Sequence, residues 1–358
     1  MAAFDARLGE YSREADDLFA SLSAGHETAL WHVKWLHPRF RGRPIADVRS
    51  ATLTPNDARL VIAQDYAFDS WIDLERYAAA VHNDEGVREF EAAVERTIDG
   101  DLASLARATG AQPELARARS TRRHRATLLH YIGANGVEQI RQRTPPNAVA
   151  VARLLLAAGS DPDALAQLYD RPSTTMTMLV SSGHPAQAGL QSELALLLLD
   201  RGANPVDPGT GTPAVLTALA FGYVDTALAI EGRTTRPLGL VEAAGLGRVQ
   251  DVERLLPPAG VAERQAGLAL ASQHGHVDVV RRLLDGGADP DLYNPEGLHS
   301  HATPLHQAVW AGHRGVVELL IERGARRDIR DRIYGSTPRE WADYGRRAEL
   351  AAYLRSLE

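Results

Sequence analysis

The chain has 358 residues, 44% of them apolar and 24% charged, with a net charge of −7 and no cysteine. That length exceeds one compact core of ordinary size, so two domains or an elongated array are expected, and the apolar share argues against disorder. Disulfides, thiolate metal sites and thiol nucleophiles are excluded, the acidic balance argues against a general nucleic-acid binder, and no run of eighteen apolar residues marks a membrane span. The stretch MAAFDARLGEYSREADD is charged from its fifth residue and does not read as a secretory signal, so a cytoplasmic location is expected.

Residues 1–84 read as a small helical unit. YSREADDLFASLSAG carries helical charge spacing, and DARLVIAQDYAFDSWIDLERYAAAVH returns apolar residues at helical intervals. Pro55 or Asn56 opens the later helix, Pro38 and RFRGRP form a loop, and Phe68, Trp71 and Leu74 are expected in the core.

Residues 85–358 read as repeated helix pairs. A degenerate pair, VREFEAAVERTIDGDLASLARATG, starts near Val87. The basic run Arg117, Arg119, Arg122, Arg123, His124 and Arg125 follows and reads as a solvated loop open to an anionic ligand. TLLHYIGANG from Thr127 leads into AVAVARLLLAAGSDPDA from Ala148, and TTMTMLVSSGH from Thr174 leads into SELALLLLDRGANPVD from Ser192. Weaker pairs lie at 213–231 and 237–256, and HGHVDVVRRLLDGGADPD begins at His274. The clearest unit is ATPLHQAVWAGHRGVVELLIERGARRDIRD, residues 302–331. There Thr303 and Pro304 open one helix and Gly312 closes it; Val316, Val317, Leu319, Leu320 and Ile321 stripe the second, which Gly324 stops. STPREWADYGRRAELAAYLRSLE closes the array with a charged outer face. About eight pairs result, each unable to bury its stripe except against a neighbour.

These motifs resemble the ankyrin family, whose repeat joins a TPLHxA helix, a GH turn, a second helix and an extended turn. The resemblance is strongest over residues 265–335. In TLLHYIG the motif proline is Leu128, and in TTMTMLV the motif histidine is Thr177. The N-terminal RLVIAQDYAFDSWIDLERY is similar to the region preceding the repeats in many bacterial ankyrin proteins and brings no known chemistry. The resemblance implies an all-α ankyrin-repeat solenoid with a small helical N-terminal unit. It also implies that His130 and His306 serve as scaffold, hydrogen-bonding backbone around their turns. The glycine-following His184, His276 and His313 take the same reading.

The resemblance further implies that the first helices line a concave groove. Groove positions are Tyr131, Asn135, Ser181, Ser182, Glu242, Gln273, His274, Gln307 and Trp310, and the aromatics among them suit recognition anchors. Three insertions interrupt the repeats: VEQIRQRTPPN, PAQAGLQ and LYNPEGLHSHA. The last places His299, His301 and His306 close in sequence beside Asn294 and Tyr293, and Tyr293 is counted with the groove-binding residues. No nearby carboxylate completes a metal set, so neither metal nor cofactor is expected.

Two functions remain open. One is a groove that binds a protein or small-molecule partner, with no nucleic acid or membrane involved. The other is an acid/base enzyme of dehydratase, cyclase or isomerase type, with Glu242 paired to His274, His299 or His301.

Overall fold

The structure, a computed structural model, describes residues 4–134, 136–137, 141–168 and 171–357. The chain divides into two compact units, residues 1–211 and 212–358.

The first unit opens with helices Leu8–Ser23, Glu27–Leu36, Pro55–Asp65 and Trp71–Asn83 around an apolar core drawn from Ala6 to Val81. Pro55 occupies the first helical position. Thr54 accepts the Asp57 N–H, and the Asp57 carboxylate accepts the Thr54 N–H at 2.7 Å, which satisfies two of the helix's unpaired donors. Ala67 turns the chain at φ +63°, and Ser70 caps the next helix. Phe68 and Leu74 enter the core, while Trp71 is half-buried and donates to Glu75 at 2.8 Å.

Three helix pairs follow in this unit: Glu85–Asp99 with Leu102–Ala111, His130–Gly133 with Ala148–Ala157, and Thr175–Leu179 with Gln191–Asp200. Strands Ala166–Leu168 and Arg171–Ser173 pair antiparallel between the last two pairs, the one strand pair among the described residues. PAQAGLQ extends a one-turn helix, Gly183–Gln187, whereas VEQIRQRTPPN lies partly outside the described residues.

The second unit holds five pairs, beginning with Ala214–Ala220 and Val224–Arg233 and ending with Pro338–Tyr344 and Ala348–Ser356. With the three before them they make the eight pairs the periodicity predicts. Val316, Val317, Leu319 and Leu320 are buried in a core that runs from Leu240 to Leu354, with Ile321 at its edge. Stacked repeats bury stripes that no single pair can hide.

Polar side chains set the spacing of the stack. His276 Nε2 donates to Gly245 O at 2.9 Å and His313 Nε2 to Gln273 O at 3.0 Å, each reaching the preceding repeat. A carbonyl only accepts, so both imidazoles carry their proton on Nε2. Each ring lies over the preceding turn glycine: a Cβ on Gly247 or Gly275 would sit 2.6 Å from the Nδ1 of His276 or His313, and both glycines have left-handed φ. In the last repeat Arg347 takes the histidine's place and donates to Trp310 O at 3.0 Å. In the first unit Ser182 Oγ donates to Ala134 O at 2.8 Å and Asn147 Nδ2 to Gly100 O at 2.8 Å, so shorter side chains close the same kind of link.

Candidate functional site

The threonine–histidine pairs form as expected. Thr127 N–H donates to His130 Nδ1 at 3.1 Å, and His130 Nε2 donates to Ala164 O at 2.9 Å. Thr303 and His306 repeat this, with His306 Nε2 on Ser336 O at 3.1 Å. Burial pushes His130 down to about 4 and lowers His306 as well, so both rings are neutral. Where Thr177 stands for histidine, its hydroxyl donates to Asp207 at 2.6 Å. Asp207 and its counterpart Asp331 tie the extended turns. Asp331 accepts backbone N–H groups of Ile333, Tyr334 and Ser336 and the Trp341 indole N–H at 3.0 Å. Burial alone would raise the Asp331 carboxyl; those donors outweigh it and hold the group below the usual range.

Three of the predicted site residues converge on one place, the C-terminal end of helix Ala214–Ala220. His274 Nε2 donates to Leu219 O at 2.9 Å, Gln273 Nε2 to the Leu219 and Ala220 carbonyls at 3.2 Å each, and His299 Nε2 to Ala220 O at 3.1 Å. They add donors to carbonyls at a helix end, where Leu219 O also accepts the Gly222 N–H at 3.0 Å. The intervening first helix, Leu240–Gly245, is narrow enough to be reached across, since a Cβ on Gly245 would lie 2.9 Å from Leu219. Burial pushes His274 down to about 4 and lowers His299.

Glu242 is equally committed. It is buried, accepts the Gly239 N–H at 2.8 Å and pairs with Arg236. The acid and base expected of Glu242 and His274 are therefore engaged in a helix start and a helix end. Among the described residues no group of three histidine or carboxylate side chains is placed to hold a metal ion.

Other predicted groove residues lie elsewhere than expected. Tyr131 is 2% exposed and packs edge-on to His124 at 6.1 Å, because its helix is a single turn and the chain folds over it. Ser182 and Gln307 are buried, Ser182 in the link to Ala134. Tyr293 donates to Arg330 O at 2.7 Å beneath the Arg332 guanidinium, 3.8 Å from its ring. Asn135 lies outside the described residues. The basic run is not uniformly solvated either: Arg122 and His124 are buried.

An aromatic row reaches the surface in the last two repeats. His299, His301, Trp341, Trp310 and Tyr344 form a row in which consecutive ring centroids are 5.8–6.4 Å apart. Trp310 and Tyr344 stack at 19° and are 46% and 85% exposed. Trp310 is held from below: a Cβ on Gly345 would touch its ring at 3.3 Å, and Arg347 bonds its carbonyl. His301 touches Trp341 and His299 and sits in the inserted loop. His301→Ala is expected to leave the fold intact, with a change in stability within about 1 kcal/mol; thermal melting by circular dichroism checks this.

A family model for ankyrin repeats matches three copies over residues 240–331. Cyclin-dependent kinase 4 inhibitor B of Homo sapiens is 32% identical over 122 residues, which span 33% of this chain and 86% of that protein. The chain belongs to the ankyrin-repeat family. Cyclin-dependent kinase inhibitor 2A of Monodelphis domestica is 32% identical over 122 residues, 33% of this chain and 69% of that protein. An ankyrin repeat-containing protein of Schizosaccharomyces pombe is 39% identical over 69 residues, 19% of this chain; the match spans 31% of that protein. The ankyrin pattern accounts for the threonine–histidine pairs and the turn histidines. It does not account for the exposed row at Trp310 and Tyr344, nor for a second group that sequence reasoning missed, the buried charges of the first unit. There Arg122 Nη2 lies 3.0 Å from both Glu91 Oε2 and the Tyr77 hydroxyl, and Arg141 pairs with Glu95. One signal was available: Glu91 interrupts the apolar face that Phe90, Val94 and Ile98 give to helix Glu85–Asp99.

Proposed function

We propose that this ankyrin protein is a binding module that docks a protein partner on the first-helix ends of residues 212–358, anchored at Trp310 and Tyr344. The observation that carries the reading is the stacked pair itself. Large aromatics held rigid and left open are costly without use and are frequent anchors of interfaces. His274 and His299 are spent on backbone carbonyls and Glu242 on the Gly239 N–H and Arg236, which favours recognition over proton transfer. One relative is by name an inhibitor of cyclin-dependent kinase 4, a protein target, which supports a protein partner here.

A photo-crosslinking amino acid placed in turn at Trp310, at Tyr344 and at Glu318 on a second helix tests this in cells. The first two positions are expected to trap one common adduct that Glu318 does not, and Trp310→Ala combined with Tyr344→Ala to abolish that complex in a folded protein. Adducts no different from those at Glu318, or a complex untouched by the double variant, would overturn the reading.

A further inference from the structure

A cleft of about 380 Å³ opens in the first unit, away from the aromatic row. It is lined by Phe68, Tyr77 and Arg122, the guanidinium 4.9 Å from the Tyr77 ring centroid and 5.9 Å from that of Phe68. Arg122 is 5% exposed at its side chain and is backed by Glu91, which is fully buried. Glu91 Oε1 has no hydrogen-bond partner among the described residues. A buried ion pair adds little stability over an apolar pair of the same volume, and one left incompletely bonded adds less. Stability alone therefore does not explain a guanidinium lining a cleft.

The rim carries both signs. Asp69 and Arg123 pair at 2.5 Å with each side chain about half exposed, and Asp73 and Arg76 lie 3.5 Å apart farther round. A simple anion would meet Asp69 and Asp73, and a simple cation would meet Arg76 and Arg123. A molecule carrying both charges beside an apolar group meets complementary partners at each point, with its apolar part over Phe68 and Tyr77. The volume lies in the range of small-molecule sites, about 300–1,000 Å³.

We propose that this cleft binds a small zwitterion with an apolar side chain, of the class of an aromatic α-amino acid. The ammonium group lies toward Asp69, the carboxylate toward Arg123, and the ring over Phe68 and Tyr77. This site is independent of the partner surface and stands or falls without it.

The test is calorimetric titration of the full chain with three probes: phenylalanine, 3-phenylpropionate, which lacks the amine, and 2-phenylethylamine, which lacks the carboxylate. Phenylalanine is expected to bind saturably and each analogue about tenfold more weakly, the cost of one charge-assisted contact. Asp69→Asn is expected to weaken phenylalanine and phenylethylamine while sparing phenylpropionate, and Arg123→Gln to weaken phenylalanine and phenylpropionate while sparing phenylethylamine. Both positions are on exposed segments, so the melting temperature should hold, and a structural effect alone would not split the probes this way. No saturable binding of phenylalanine, equal binding of all three probes, or discrimination unchanged in both variants would overturn the proposal.

Discussion

Glu91→Ala is expected to destabilise the protein by about 3–5 kcal/mol, the cost of leaving a buried charge without its partner. Arg122 would remain against Phe68 and Tyr77, nearly excluded from water, with its Nη2 3.0 Å from the Tyr77 hydroxyl. The hydroxyl cannot supply the missing charge. Burial raises the Tyr77 phenol well above its ordinary value, although the nearby Arg122 charge acts in the other direction. Urea unfolding measures the loss. Glu91→Gln keeps an acceptor and should recover part of it. Replacing both partners, Glu91→Leu with Arg122→Met, should restore stability to near the starting value, since paired apolar groups of similar volume cost no desolvation. A Glu91→Ala protein within about 1 kcal/mol of the parent would show that the pair is solvated and not buried as described.

Acid should weaken the fold well before its carboxylates titrate. Burial holds His124 at about 3, His130 at about 4 and His274 at about 4, and also lowers His276, His299 and His306. In the unfolded chain these groups titrate near about 6.5. Above that value neither state binds the proton and stability is complete. Between about 6.5 and the folded values, only the unfolded chain is protonated, so stability is lost as pH falls. For His130, fully buried, the displacement corresponds to about 3 kcal/mol by the bottom of that range. His32 acts in the opposite sense. Its hydrogen bond to Asp65, at 2.5 Å, raises its pKa, so its contribution is present in acid and lost as pH rises through the raised value. One such group does not offset six. Asp207 and Asp331, both held low, extend the loss below pH 4 as their turn hydrogen bonds are protonated away. The midpoint of thermal unfolding is therefore expected to fall continuously from about pH 6.5 to 4. A midpoint that is flat or rises over that interval would contradict the burial of these rings.

The scaffold was legible because its signals are local. Thr303, Pro304 and His306 specify a helix start within four residues, the 316–321 stripe specifies a buried face, and the turn glycines mark where the chain reverses. Pro55 likewise placed a helix start in the N-terminal segment. Trp310 was legible for the same reason, since its position before Gly312 puts it at an open helix end. What was not legible depends on distant partners. Nothing near His274, Gln273 or His299 in sequence says that all three reach the end of one helix more than fifty residues earlier. A basic run reads as solvated unless its partner is known, and Arg122 finds Glu91 and Tyr77 on two other helices. Tyr131 was placed on a surface that its one-turn helix does not present, because the length of that helix is decided by packing and not by the TLLH motif that opens it. Only Glu91, a charge on an apolar face, gave notice that the first unit buries something other than hydrocarbon.

The imidazoles along the repeats are fixed structural donors, and our proposal of the aromatic row as the docking surface rests on their being so. Long-range ¹H–¹⁵N correlation spectra of the histidine rings, followed from pH 8 to 4, test it most directly. The structure predicts a single neutral tautomer with the proton on Nε2 for His130, His274, His276, His299 and His306 at neutral pH, and titration of His130 and His274 only near the acid end of the range. Rapid tautomer exchange at His274 or His299, with titration near neutrality, would contradict the account and return those residues to the role of acid and base.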